Sequence, residues 1–298
     1  MKYNQLGKTD LRVSEVSFGC MSLGGDHAAN ARLLHRALDQ GINYFDTADL
    51  YQQGENEVTV GKAFYGRRNN VILATKVGNQ WRPDGSGWEW NASKSYILEA
   101  VDKSLQRLQT DYIDLYQLHG GTLEDPIDET IEAFEQLVQQ GKIRYYGISS
   151  IRPNVIREYV RRSHIASVMM QYSLLDRRPE ESSLALLQEH QISVLARGSY
   201  GQGLLLGKPA KEYLGYKPAQ VAEAATAVKE VAGAGRTAAE VATRFVLASP
   251  VVASAVLGIR TDEQLEEASW VAKAPALTPS EFEVLRSAVP PMRYEQHR

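Results

Sequence analysis

Short apolar runs alternate with amphipathic stretches from one end of the chain to the other. Tyr3 to Leu6 and Leu11 to Val13 flank the turn residues Gly7-Lys8-Thr9-Asp10, which predicts a hairpin. Val16-Ser17-Phe18-Gly19 predicts a first core strand. Asn30 to Gln40 carries Leu33, Leu34, Ala37 and Leu38 at helical spacing, and Gly41 ends it. Ile42 to Asp46 predicts strand two, Asn56 to Phe64 a helix, and Val71 to Thr75 strand three. Ser93 is a capping hydroxyl for a helix to Leu108 with the stripe Ile97, Val101, Leu105 and Leu108. Tyr112 to Leu118 predicts strand four, and Pro126 to Gln140 a helix closed by Gly141. Ile143 to Ile148 predicts strand five and Pro153 to Arg161 a helix. Val168 to Met170 predicts strand six, Glu180 to His190 a helix, and Ile192 to Ala196 strand seven. Val221 to Ala232 and Thr237 to Ala248 read as helices, Val251 to Val256 as strand eight, Asp262 to Val271 as its helix, and Glu281 to Ala288 as a last one.

The strands are continuous apolar runs, which suits a parallel sheet buried on both faces. Eight strand–helix units with no linker predict an α/β fold. Its expected form is a closed (β/α)8 TIM barrel with an N-terminal hairpin and an extra C-terminal helix, one domain over residues 1–298. No sequence repeat accompanies the structural one.

Composition narrows the function classes. The chain has 298 residues, 33 Lys plus Arg against 36 Asp plus Glu, 43% apolar and 23% charged residues. That is ordinary globular composition. A near-neutral balance argues against a nucleic-acid binder, and Arg157, Arg161 and Arg162 read as one solvated helix face. No apolar run reaches the roughly 18 residues of a membrane span. The start, Met1-Lys2-Tyr3-Asn4-Gln5-Leu6, lacks an apolar signal core. Cys20 is the only cysteine, so no intrachain disulfide forms, and a reducing cytoplasm is the expected location. The six histidines have no ligand-like spacing, so no metal site is expected. Gly203-Leu204-Leu205-Leu206-Gly207-Lys208 is one residue short of a P-loop, and Pro209 stands where Ser or Thr is required. No Gly-x-Gly-x-x-Gly, Gly-x-Ser-x-Gly or His-Glu-x-x-His occurs.

In such a barrel the active site lies at the C-terminal ends of the strands. Strand two ends at Asp46, strand three at Thr75-Lys76, and strand four at Leu118-His119, with Tyr51 in the loop above. Each residue alone has an ordinary structural reading: a cap, a solvated strand end, a core histidine, loop packing. Their convergence on one rim is the stronger argument. A lysine and an aspartate there need each other, because unpaired buried charge is costly. An ammonium beside a tyrosine favours its phenolate, the property a general acid needs.

The segments Phe45-Asp46-Thr47-Ala48-Asp49-Leu50-Tyr51, Thr75-Lys76, Asp111-Tyr112-Ile113-Asp114-Leu115-Tyr116-Gln117-Leu118-His119, Gly147-Ile148-Ser149-Ser150, Gln171-Tyr172-Ser173 and Gly258-Ile259-Arg260-Thr261, in this order, resemble the aldo-keto reductases. The resemblance covers essentially the whole chain and is nearest to a bacterial branch around the general-stress and inositol-operon reductases. It implies a catalytic tetrad of Asp46, Tyr51, Lys76 and His119, and an NADP(H) site without a Rossmann fold. Gly19, Cys20 and Met21 are implied near the nicotinamide, with Asp46 nearby. Ser149, Ser150 and Gln171 are implied at its carboxamide. Arg197, Gly198, Ser199, Tyr200, Gly201 and Gln202 are implied along the ring and pyrophosphate. Gly258, Ile259, Arg260, Thr261, Gln264, Glu267 and Ala268 match the segment that binds the 2′-phosphate and adenine, where an arginine fork suits a phosphate. The chain departs from the family pattern at Ser150 and Ala268, where the family has Asn, and at Arg197, where it has a stacking aromatic. A positive charge beside the nicotinamide affects NADP+ and NADPH unequally.

The expected reaction is NADPH-dependent reduction of a small carbonyl substrate to an alcohol, with Tyr51 as general acid. Trp81, Trp88 and Trp90 follow strand three. The resemblance implies a substrate pocket formed by Tyr51, Trp81, Trp88 and His119, with an apolar wall suited to aromatic or medium-chain aldehydes. Two other readings stay open: a Schiff-base lyase or aldolase using Lys76, and a non-catalytic NADP(H) sensor or partner subunit. The pattern leaves monomer and homo-oligomer equally open.

Overall fold

The first turn works because residue 7 is glycine. The computed structural model describes residues 1–298. In it, β1 (Tyr3–Gln5) pairs antiparallel with β2 (Arg12–Ser14), and Tyr3 lies opposite Ser14. Gly7 has φ +55°, and a Cβ there would sit 2.4 Å from the Ala166 carbonyl oxygen. The turn can therefore press against the barrel only without a side chain.

The chain then alternates strand and helix. The order is β3 (Val16–Gly19), α1 (His27–Asp39), β4 (Tyr44–Asp46), α2 (Glu55–Phe64) and β5 (Ile72–Val77). A two-stranded ribbon follows, β6 (Asn79–Trp81) with β7 (Trp88–Trp90). Next come α3 (Lys94–Leu108), β8 (Ile113–Leu118), α4 (Ile127–Gln139), β9 (Ile143–Ser149), α5 (Pro153–Arg162) and β10 (Ser167–Gln171). The last elements are α6 (Ser183–Glu189), β11 (Ser193–Arg197), α7 (Pro218–Ala232), α8 (Ala238–Leu247), β12 (Val252–Gly258), α9 (Asp262–Val271) and α10 (Pro279–Ala288). Eight strands close in the order β3-β4-β5-β8-β9-β10-β11-β12, all neighbours parallel, and β12 returns to β3 with Val256 opposite Ser17. The expected (β/α)8 barrel with its hairpin is the observed fold.

Several boundaries differ from the sequence reading, each for a local reason. Helix α1 starts at His27 rather than Asn30, because Asp26 Oδ1 accepts from the backbone N–H groups of Ala28 and Ala29 at 3.0 Å. Strand β5 runs to Val77, past the expected end at Thr75, so Lys76 lies within the sheet. The helix expected from Glu180 begins as a 3-10 turn, and α6 itself starts at Ser183. The β6–β7 ribbon was not anticipated, since its three-residue strands carry too little periodicity to read.

Two cores result. The larger lies between strands and helices and holds 70 buried residues. The smaller fills the barrel interior, where Leu6, Leu11 and Val13 of the hairpin region meet Tyr44, Ile72, Leu115, Met169 and Leu195. The hairpin thus plugs one end, and the carboxyl ends of the strands form the open one. No helix is long and apolar enough to cross a membrane.

Two glycine substitutions separate backbone strain from packing. Gly66 has φ +77° with nothing within 4 Å of its Cβ position, whereas Gly7 meets the Ala166 carbonyl. Gly66→Ala is expected to cost about 1 kcal/mol of unfolding free energy, and Gly7→Ala about 2–3 kcal/mol. Urea unfolding of both variants checks the difference; equal losses would mean the hairpin contact contributes nothing.

Candidate active site

Strand side chains alternate sides, so every second residue of a barrel strand faces inward. Tyr44 and Asp46 share one phase, as do Ile72, Ala74 and Lys76, and Leu115, Gln117 and His119. The lower members of each set are apolar and belong to the barrel interior. The upper members are polar and meet at the open end. Strand register sets Lys76 level with Gln117, while Asp46 lies opposite Ala74, two residues below Lys76 along its strand.

Lys76 is buried and donates to three oxygens. Its Nζ lies 2.6 Å from Asp46 Oδ2, 2.7 Å from the Thr47 carbonyl and 3.3 Å from the Tyr51 hydroxyl. All three ammonium protons therefore have an acceptor. Gln117 Nε2 donates to Asp46 Oδ1 at 3.3 Å, fixing the carboxylate from its other side. Burial pushes the Asp46 carboxyl up, against the pull of Lys76. Burial pushes the Lys76 amine down, but Asp46 and Tyr51 together more than reverse this, and the amine stays protonated above its ordinary range.

His119 stands edge-on to the Tyr51 ring at 5.8 Å. Burial, with the Lys76 and Arg197 charges, pushes its imidazole down to about 3. It is a neutral group at the mouth. Tyr51 itself opens a turn in which Gln52 and Gln53 hold left-handed φ of 52° and 55°. Such residues cost about 1–2 kcal/mol each. Outside bonds hold them: Gln52 Nε2 donates to the Leu23 carbonyl at 2.7 Å, and Trp81 Nε1 to the Leu50 carbonyl at 3.2 Å.

The mouth opens into a cavity of about 1060 Å³ lined by Asp46, Tyr51, Lys76 and His119. Of the residues expected around a cofactor, Gly19, Met21, Ser149, Ser150, Gln171, Arg197, Gly198, Ser199, Tyr200, Gln202, Gly258, Arg260 and Gln264 line the same cavity. Cys20, Gly201, Ile259, Thr261, Glu267 and Ala268 do not. Cys20 is buried and its thiol is pushed up, chiefly by burial. Ile259 and Ala268 are packed in the large core, with Ala268 on the inner face of α9. Thr261 caps α9 by accepting from Gln264 N–H, and Gln264 Oε1 accepts from Arg260 N–H, so these two hold the Arg260 backbone.

The tryptophans divide differently from expectation. Trp81 is not on the cavity wall; it braces the Tyr51 turn from behind. Trp88 and Trp90 line the cavity. Trp90 lies where Cβ atoms of Gly78 and Gly120 would reach, at 2.6 and 3.0 Å, and its Nε1 donates to Asp125 at 2.8 Å. Sequence reading also passed over Gln117, which the strand phase shared with His119 would have revealed. It passed over Asp49 too, a buried carboxyl pushed up to about 8 by burial and by Glu57. No group of three or more potential metal-ligating side chains occurs.

Comparison with known proteins agrees with this geometry. Residues 15–290 match the aldo/keto reductase family. The chain is 53% identical to the uncharacterized oxidoreductase YqkF of Bacillus subtilis, covering 100% of both, and 33% identical to the aldo-keto reductase YhdN of the same organism over 91% of this chain and 88% of that one. The holo form of aldo-keto reductase AKR11C1 from Bacillus halodurans superposes with a TM-score of 0.94 at 52% identity, covering 100% of this chain and 99% of that one. The chain therefore belongs to the aldo/keto reductase family and is an oxidoreductase of its bacterial members.

A neutral His119 has a measurable signature. Its folded-state pKa of about 3 lies below the free-histidine value of 6.5. The unfolded chain therefore takes up a proton between those values that the folded chain does not. That contribution to stability is complete above pH 6.5 and falls away as pH drops toward 3. The His119 ring resonances in an NMR titration are expected to stay flat from pH 8 to 5; a midpoint near 6.5 would contradict the buried neutral ring.

Proposed function

We propose that the protein is a cytoplasmic enzyme that reversibly reduces aldehydes or ketones with NADP(H), using Tyr51 as the general acid. The observation that carries this reading is the Tyr51 hydroxyl held 3.3 Å from an ammonium that Asp46 and the Thr47 carbonyl fix on its other sides. As a proton leaves the phenol, the charge left on its oxygen faces that ammonium in a water-poor site. Neutral His119 stands beside the ring as a hydrogen-bond donor for a substrate oxygen. Gln117 keeps Asp46 from rotating away from Lys76.

The residues present fit a dinucleotide. The lobe beyond the tetrad carries Arg197, Lys208 and Arg260, and these have no carboxylate partner to neutralise them. Ser199 Oγ in the same lobe is buried without a protein partner. Gly198 has φ +72°, and a Cβ there would reach within 3.2 Å of Gln171, so a larger residue would crowd that wall. We assign Ser149, Ser150 and Gln171 to the carboxamide end, Arg197 through Gln202 to the ring and pyrophosphate, and Arg260 to a 2′-phosphate. When bound, the nicotinamide supplies or takes up the hydride. The side chains named here orient the carbonyl, carry the proton and exclude water.

A Schiff-base role for Lys76 is disfavoured, because that chemistry needs a neutral amine and Lys76 is a charged donor with all three protons engaged. A sensor without turnover is separated from an enzyme by one assay.

Tyr51→Phe is expected to lower kcat/KM for an aromatic aldehyde by about 10²-fold or more, with NADPH affinity by fluorescence titration nearly unaltered; retained turnover would remove Tyr51 from its role. Arg260→Ala is expected to weaken NADPH binding about tenfold or more while changing NADH binding little. Parallel titrations with the two cofactors read this, and equal losses would mean Arg260 does not meet a 2′-phosphate.

A further inference from the structure

Five cationic side chains line the cavity, Lys76, Arg152, Arg197, Lys208 and Arg260, against the single carboxylate of Asp46. Asp46 neutralises Lys76. Arg197 ends β11, and Lys208 and Arg260 follow β11 and β12, in the lobe assigned above to the dinucleotide. Arg152 stands apart from them. It follows β9, and its Nη1 donates to the Gly121 carbonyl at 2.8 Å. Gly121 is two residues beyond His119, so this bond ties the guanidinium to the β8 side of the mouth, where the Tyr51 and His119 rings lie.

The tether uses one of five guanidinium N–H groups. The other hydrogen bonds of this residue are made by its backbone, with the N–H donating to Ser150 Oγ and the carbonyl accepting from the Ile156 N–H, and the side chain has no charged partner. Asp125 in the neighbouring loop does not supply one. Its carboxylate is occupied by the Thr122 N–H at 2.7 Å, the Thr122 hydroxyl at 2.9 Å and the Trp90 indole at 2.8 Å. Trp88, Trp90 and Ile151 complete the surrounding wall as apolar surface. The substrate side of the cavity therefore offers a neutral donor and an acid at its base, an apolar flank, and one free guanidinium beyond.

We infer that Arg152 recognises an anionic group on the substrate, and that the substrates suited to this mouth are aldehydes with a carboxylate at the end opposite the carbonyl. This rests on the reductase reading and adds the substrate class to it. A guanidinium presents a planar fork that matches a carboxylate in two parallel hydrogen bonds, whereas an ester offers no charge to pair. The apolar flank takes the body between the two ends.

The test uses 4-carboxybenzaldehyde and its methyl ester, which share skeleton and reacting group and differ in charge. NADPH oxidation is followed with the full-length protein, Arg152→Gln and Arg152→Lys. The native protein is expected to prefer the carboxylate by about tenfold in kcat/KM, the scale of one charge-assisted hydrogen bond, through KM rather than kcat. Arg152→Gln is expected to bring the ratio to about one, and Arg152→Lys to hold it between the two. NADPH binding and circular dichroism report whether each variant is folded. A ratio near one in the native protein, or a preference that survives Arg152→Gln, overturns the inference while leaving the reductase reading intact. Turnover of neither compound, nor of a neutral aldehyde panel, overturns the reductase reading and the subsite with it.

Discussion

The ion pair between Lys76 and Asp46 governs the open end of the barrel. Both groups are buried, and separating such a pair by removing one partner typically costs about 3–5 kcal/mol. The surroundings answer that constraint. Thr47 gives a carbonyl and Tyr51 a hydroxyl to the ammonium, and Gln117 gives an amide to the carboxylate, so that each charge is met by at least one dipole besides its ion partner. The same bonds that make burial tolerable also fix the phenol. Stability and chemistry here share one set of contacts.

Around that pair the cavity wall mixes neutral and charged groups: the imidazole of His119 and the indoles of Trp88 and Trp90 line the same cavity as Arg152, Arg197, Lys208 and Arg260. The imidazole stays uncharged because it is buried and because Lys76 and Arg197 both oppose a further positive charge. The ammonium next to the Tyr51 phenol therefore has a second effect, since it helps keep the neighbouring ring neutral.

The fold was largely legible because its strands are short, continuous apolar runs separated by helices with readable ends. The meeting of Asp46, Lys76 and His119 at one end of the barrel was legible because each ends or nearly ends such a run. What escaped depends on three-dimensional approach. Trp81 and Trp90 are equivalent in the chain as tryptophans of one loop, yet one braces the Tyr51 turn and the other lies over Gly78 and Gly120. The ribbon pairing that turns them different ways has no periodic signature at three residues per strand. Asp26 as a helix cap was masked by the glycines before it, which read as loop. Lys76 sits inside β5 because the sheet continues as long as its neighbour β8 offers backbone partners, through Val77 and Leu118. That is a property of the pair of strands rather than of either sequence. Ala268 is buried in the core and packs there rather than lining the cavity.

The plugged end of the barrel ties together opposite ends of the polypeptide. Asn4 Nδ2 donates to the Ala253 carbonyl across 249 positions, Ser17 and Ser254 share a hydrogen bond, and Arg244 pairs with Glu15. Contacts this distant along a chain form slowly, because much loop entropy is lost before they close. During synthesis the hairpin emerges early, and its partners arrive one strand at a time, from Tyr44 on β4 to Ala253 on β12. The apolar faces of Leu6, Leu11 and Val13 are thus covered in stages, and the last of their surface stays open until the chain is nearly finished.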